Sequence, residues 1–177
     1  MAGEPMFLNL RKGYIFLHSG SGLLAWLIKK VTKSRWSHAG WITGTRQVIE
    51  ANFDGVEMGV AYGAKNIAII RLKVPDEQIE QCIQYVEGKV GRKYDYKLFF
   101  GLFWRWLWGW DRKKDVPDWG KGYICSELVA KPVAMFCGIH FNPEVDTQNI
   151  VPEDIWRWAV LNPDKAEIVY LGSGVKN

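Results

Sequence analysis

The stretch 36–52 constrains the fold more than any other part of the chain. Residues 36–43 and 47–52 are two runs of strand-forming side chains on either side of Gly44, the pattern of two antiparallel strands joined by a turn. A lone hairpin is marginal in water, so further strands and a covering layer are required. The chain supplies candidates. Residues 13–17 form a short apolar run, 66–74 are rich in Ile, and 166–171 read as a last strand. Between them lie four helical patterns. Ser21 is placed to cap a helix reaching about Lys33, with Leu23, Leu24, Leu27, Ile28 and Val31 as its apolar stripe and Lys29, Lys30 and Lys33 on its basic side. Pro75-Asp76-Glu77 opens a second, with Ile79, Cys82, Ile83 and Val86 inward and Gly88 and Gly91 near its end. Residues 125–136 form a third, closed by Gly138, in which Pro132 predicts a kink or an early end. Val151-Pro152-Glu153 opens a short fourth. Antiparallel strands in the middle of the chain, with helices interspersed, predict an α+β domain.

A length of 177 residues and no linker-like tract predict one domain, 1–177, and 48% hydrophobic against 24% charged residues is enough to build a core without metal or disulfide staples. The net charge of +4 comes without a dense Lys/Arg run, which argues against nucleic acid as a partner. Cys82, Cys125 and Cys137 are odd in number and lack framework spacing, so they read as free thiols of a reducing compartment. The first residues, MAGEPMFLNLRKGYIFL, lack the order of a signal peptide. The expected location is cytoplasmic, with phage association or release by lysis as the route outward.

Cys125 falls between Gly122-Tyr123-Ile124 and an apolar-periodic helix, hence in that helix's first turn. Unpaired N–H groups and the positive end of the helix dipole favour a thiolate there, and an imidazolium beside it lowers the thiol pKa further. The same N–H groups could hold an oxyanion. The alternative is a buried cysteine acting as a small hydrophobe, and that is the reading for Cys82 and Cys137, which lie on apolar stripes. Among the three histidines, His18 and His140 show no partner. His38 lies on a predicted strand, and in a hairpin centred on Gly44 it falls directly opposite Glu50. A carboxylate there can fix the imidazole's tautomer. The pairing can equally be a cross-strand pair that only stabilises the sheet, and a two-residue turn would turn Glu50 to the other face.

Ser37-His38-Ala39-Gly40, Val48-Ile49-Glu50-Ala51 and Ile124-Cys125-Ser126-Glu127-Leu128-Val129 together resemble the permuted branch of the NlpC-type papain-like superfamily. That branch includes YiiX-like proteins and is related to the lecithin–retinol acyltransferase group. The order His, polar residue, Cys is the permuted one, and the resemblance spans roughly residues 13–155. It implies a circularly permuted papain-like fold, with Cys125 as nucleophile, His38 as general base and Glu50 as its orienting group. Gly91-Arg92-Lys93-Tyr94 resembles the Gly-x-x-Tyr element of the wider superfamily, which makes Tyr94 a candidate hydroxyl near the oxyanion; a partly buried core tyrosine is the alternative. The chain departs from the pattern at Tyr14, where Asp is common, and in the long gap from Tyr94 to Cys125.

A Trp-rich insertion at about 97–119 fills that gap. Its core, LFFGLFWRWLWGW over 98–110, is too short to span a bilayer. It reads as packed core, as an oligomer surface, or as an aromatic wall against lipid or a membrane surface. The expected activity is cleavage of an amide bond, in a cell-wall-type peptide or an amino-acid amide, with no metal or organic cofactor. The alternatives are a lipid acyl hydrolase or acyltransferase using the same residues, and a non-catalytic membrane-interacting protein.

Overall fold

The apolar run near the start of the chain becomes an interior strand. In the computed structural model, which describes residues 10–52, 54–61, 63–93 and 123–175, β1 (Ile15–His18) pairs antiparallel with β2 (His38–Gly44) on one side and with β5 (Ile67–Leu72) on the other. With neighbours on both edges and packing on both faces, Ile15, Phe16 and Leu17 are fully buried. Adding β3 (Gln47–Asn52), β4 (Gly55–Val60) and β6 (Ala166–Leu171) gives a six-stranded sheet in the order β4-β3-β2-β1-β5-β6, antiparallel at every pairing. The β4 strand was not anticipated; its glycines, Gly55 and Gly59, and Glu57 dilute the alternation of Val56, Met58 and Val60.

Successive strand residues point to opposite faces, and the two faces carry separate cores. Leu17, Trp41, Ile49 and Ile70 pack with α2 (Asp76–Glu87), α3 (Cys125–Cys137) and α4 (Pro152–Leu161). Phe16, Ile42, Val48 and Ile69 form a smaller cluster on the other face. In the fourth helix, α1 (Leu23–Thr32), no side chain among the described residues belongs to either cluster. Its N-cap is Gly22, at φ 101°, without a side-chain cap, so the expected capping by Ser21 is corrected: the chain enters the helix through a left-handed conformation that favours glycine. The mixed α+β architecture expected from the sequence is present. Tyr94 and the Trp-rich stretch lie outside the described residues.

Pro132 neither ends nor shortens α3, which runs to Cys137 and closes on Gly138 in the left-handed region. Proline brings no N–H, so the carbonyl four residues earlier, on Leu128, loses its helical donor. Trp41 of β2 fills the vacancy: its indole Nε1 donates to the Leu128 carbonyl at 3.1 Å, in full burial. The proline thus opens a polar socket on the helix that carries Cys125, and the strand that carries His38 plugs into it.

Candidate active site

The hairpin sets the geometry. Gly44 pairs with Gln47, so the turn is the two residues Thr45 and Arg46, with Arg46 left-handed at φ 66°. Continued unbroken, that register would put Glu50 on the face away from His38. The ladder shifts between Ile42 and Gly44, where Thr43 is an extra residue, a β-bulge. Beyond it Trp41 pairs with Ile49 and Gly40 with Glu50. The expected direct opposition of His38 and Glu50 is therefore corrected to an offset of two residues on the same face. The two side chains still meet diagonally, with His38 Nε2 2.7 Å from Glu50 Oε2, a reach available to long side chains across a strand pair.

Gly40, opposite Glu50, keeps that route clear. A Cβ there would stand 2.6 Å from Phe16 Cε1 and 2.8 Å from the Ile49 carbonyl. Glu50 is buried, and its other oxygen accepts from Asn52 Nδ2 at 3.0 Å. Asn52 donates as well to Glu57 Oε1 at 2.8 Å. Since Glu57 is the direct partner of Glu50 on β4, one amide bridges two carboxylates that would otherwise repel. The ring of Phe16, 5.9 Å from that of His38, packs against the imidazole.

With Nε2 on Glu50, the other ring nitrogen of His38 is left for the thiol of Cys125, with which the imidazole hydrogen-bonds. Cys125 is the first residue of α3, and Ile124 before it is extended. Burial by itself raises the thiol pKa. The positive charge and hydrogen bond of His38, with the backbone N–H groups of Ala39 and Ser126, overcome that and lower it below its ordinary value. Burial likewise disfavours the imidazolium, yet the Cys125 thiolate and then Glu50 push His38 up to about 10. Each partner favours the other's charged form. Taken as a whole residue, Cys125 is only partly buried.

Two further features complete the surroundings. Glu153, near the start of α4, accepts from the backbone N–H of Arg35 at 3.0 Å and from Ser34 Oγ at 3.3 Å, fixing the approach of the chain to His38. His18, read from the sequence as partnerless, is the direct β-ladder partner of His38. Burial first, then the neighbouring His38 charge, lowers its pKa to about 4, so it stays neutral where His38 is charged. No sequence spacing signals this pairing, because β1 and β2 are separated by α1. His140 forms no part of the site as described. Cys82 and Cys137 lie together between α2 and α3, 3.8 Å apart, in line with their apolar positions.

Among the described residues no group of three or more His, Cys, Asp or Glu side chains is arranged to hold a metal ion, and no helix is long and apolar enough to cross a membrane. No protein-family model matches the chain, and no curated protein does. Among solved structures, the fold is similar to that of the metalloprotein yiiX from Escherichia coli O157:H7. The two share 20% identity and a TM-score of 0.53 over 74% of this chain and 68% of that one. What the likeness shows is a YiiX-like α+β fold.

Proposed function

We propose that this chain is a cysteine hydrolase of the permuted papain-like, NlpC-type class, cleaving an amide bond in a cell-wall-type peptide or an amino-acid amide. The observation that carries the reading is the chain of contacts from Cys125 through His38 to Glu50, at the N-terminus of α3. The thiolate attacks the carbonyl carbon, and first-turn N–H groups of α3 receive the developing oxyanion. The tetrahedral adduct collapses as the His38 imidazolium gives its proton to the leaving amine, leaving a thioester on Cys125. A water molecule, deprotonated by the now neutral His38, attacks the thioester, and the acid departs as the thiolate takes back its place. Glu50 holds the ring orientation and balances its charge throughout. The name metalloprotein belongs to yiiX; the described residues here do not assemble a metal site, and no step of this route is assigned to a metal. Tyr94 remains a proposed hydroxyl donor near the oxyanion. A second reading keeps the residues and exchanges the amide for a lipid acyl ester, and the exposed Leu23 and Trp26 on the helix following β1 favour it.

Selective alkylation tests the nucleophile. Iodoacetamide at pH 6 is expected to modify Cys125 at least ten times faster than Cys82 or Cys137, read by peptide mass spectrometry. Cys82 is fully buried, and its hydrogen bond to Cys137 raises its pKa. Equal rates at the three thiols would remove the basis of the proposal.

The paired shifts predict a pH profile. A thiol whose pKa is lowered by folding stays ionised until the pH falls through that lowered value, so the acid limb of kcat/KM is set by Cys125. A histidine raised from 6.5 to about 10 keeps its proton, and the pair its contribution to stability, fully below 6.5; both are lost as pH climbs through about 10. Turnover should therefore hold a plateau through neutrality and fall on an alkaline limb near 10. A limb near 6.5 would mean an unpaired imidazole.

A further inference from the structure

A helix in a protein usually owes its stability to an apolar face packed on the core, yet among the described residues no side chain of α1 joins either core cluster. Polar contacts help to attach it. Lys29 Nζ donates to the Gly20 carbonyl at 2.8 Å and to Ser19 Oγ at 3.3 Å, while Ser37 Oγ accepts from the Gly20 N–H at 2.9 Å. Leu23, Trp26, Lys30 and Lys33 follow one another at spacings of three, four and three residues and so share one side of the helix and its end. That side is open: Leu23 is 79% and Trp26 51% exposed, and both lysines are exposed. Lys30 Nζ lies 4.7 Å from the centre of the Trp26 ring. Among the described residues no carboxylate pairs with Lys30 or Lys33, and the sequence holds no Asp or Glu between Glu4 and Glu50.

An exposed leucine and tryptophan at one end of a helix, with lysines beside them that no carboxylate among the described residues pairs with, match a layered surface that is apolar below and anionic above. Indole settles at the level of the headgroups, and lysine stems extend along apolar material while their ammonium groups stay in water. An exposed apolar side chain without that charge would fit many partners; the charge selects among them. We infer that α1 is an interfacial helix that seats this protein on an anionic lipid bilayer, with Leu23 and Trp26 entering the headgroup–acyl boundary and Lys30 and Lys33 at the phosphates. Because α1 begins five residues after His18, and Gly20, to which its Lys29 donates, is itself held by Ser37 next to His38, the site would work beside the membrane. The inference stands apart from the proposed hydrolase, since binding is read without turnover.

Flotation of the full chain with vesicles provides the test, using phosphatidylcholine alone and phosphatidylcholine with 30% phosphatidylglycerol, the latter a test condition chosen on the order of natural anionic contents. The protein should float with the anionic vesicles, at least ten-fold less with the neutral ones, and less as salt screens the lysines. Leu23→Glu with Trp26→Glu should lower anionic-vesicle binding at least ten-fold while leaving the melting temperature and the alkylation rate of Cys125 in place. If that variant fails to fold, Lys30→Glu with Lys33→Glu decides, with a fall in the same direction expected. Cys125→Ser should float like the parent chain, which separates this inference from the hydrolase reading. The inference is overturned if the parent chain does not float, or if the charge and apolar variants float unchanged. It is overturned too if only Trp104→Ala, Trp106→Ala and Trp108→Ala abolish binding, or if the α1 variants alter self-association by sedimentation without altering flotation.

Discussion

Exchanging His38 for Gln should slow alkylation of Cys125 at pH 6 by about a hundred-fold or more, and turnover on any substrate by a thousand-fold or more. The first figure follows from ionisation alone. A free cysteine has a pKa of about 8.5, so at pH 6 only roughly one thiol in three hundred is ionised, whereas the charge and hydrogen bond of His38 hold the Cys125 thiol below its ordinary value. Burial, the leading opposing influence on Cys125, would go unanswered in the variant and raise the pKa further. The larger loss in turnover adds the missing proton donor for the leaving group, typically worth a further 10²–10⁴-fold. Gln is the informative substitution because its amide can still donate to Glu50 Oε2, now 2.7 Å from the imidazole, so the carboxylate is not stranded in the interior. Glu50→Gln should be milder for alkylation, since Cys125 keeps its imidazole. The check is a pair of rate measurements on folded variants; an unchanged alkylation rate in His38→Gln would show that the thiolate does not depend on the imidazole.

The second large effect is structural. Trp41→Ala is expected to cost about 3–5 kcal/mol from the lost ring and the cavity it leaves. At roughly 2–4 °C per kcal/mol for a domain of this size, the melting temperature should fall by about 6–20 °C. Trp41→Phe separates the two contributions. It keeps most of the ring but withdraws the indole N–H from the Leu128 carbonyl, leaving a buried acceptor unpaired at about 1–3 kcal/mol. Pro132→Ala in that background restores a helical donor to the same carbonyl and should recover part of the loss. Thermal unfolding of the three variants decides the matter; if Trp41→Phe melts like the parent chain, the indole–carbonyl bond contributes nothing to holding β2 on α3.

Where periodicity and punctuation agree, the sequence was legible. The strands at Gln47–Asn52 and Ala166–Leu171 lie within the bounds anticipated for them, and the α3 helix starts at the cysteine expected in its first turn. Long-range and conformational facts were not. The meeting of His18 with His38 depends on how β1 docks on β2 across an intervening helix, which no local pattern encodes. Glu50 was assigned to the right face through the wrong register: turn position and bulge each shift the pairing, and neither Thr43 nor Thr45-Arg46 carries a glycine or proline that would announce them. Of the kink or early end expected at Pro132, the early end does not occur: the carbonyl deprived of its helical donor is satisfied by an indole from 87 residues away in sequence. The sequence showed an apolar stripe and a basic side on α1, but amphipathicity does not say which neighbour the apolar side meets.

The bulge at Thr43 makes the site sensitive to a kind of change that leaves every functional side chain intact. Gain or loss of a single codon between Ile42 and Val48 that the turn does not take up as loop should swing the carboxylate to the far side of the sheet and amount to removing it, whereas two codons together can be absorbed. Relatives of this protein should therefore differ in hairpin length by even steps wherever they keep the acid, and a relative with an odd step should carry its imidazole partner on a different strand.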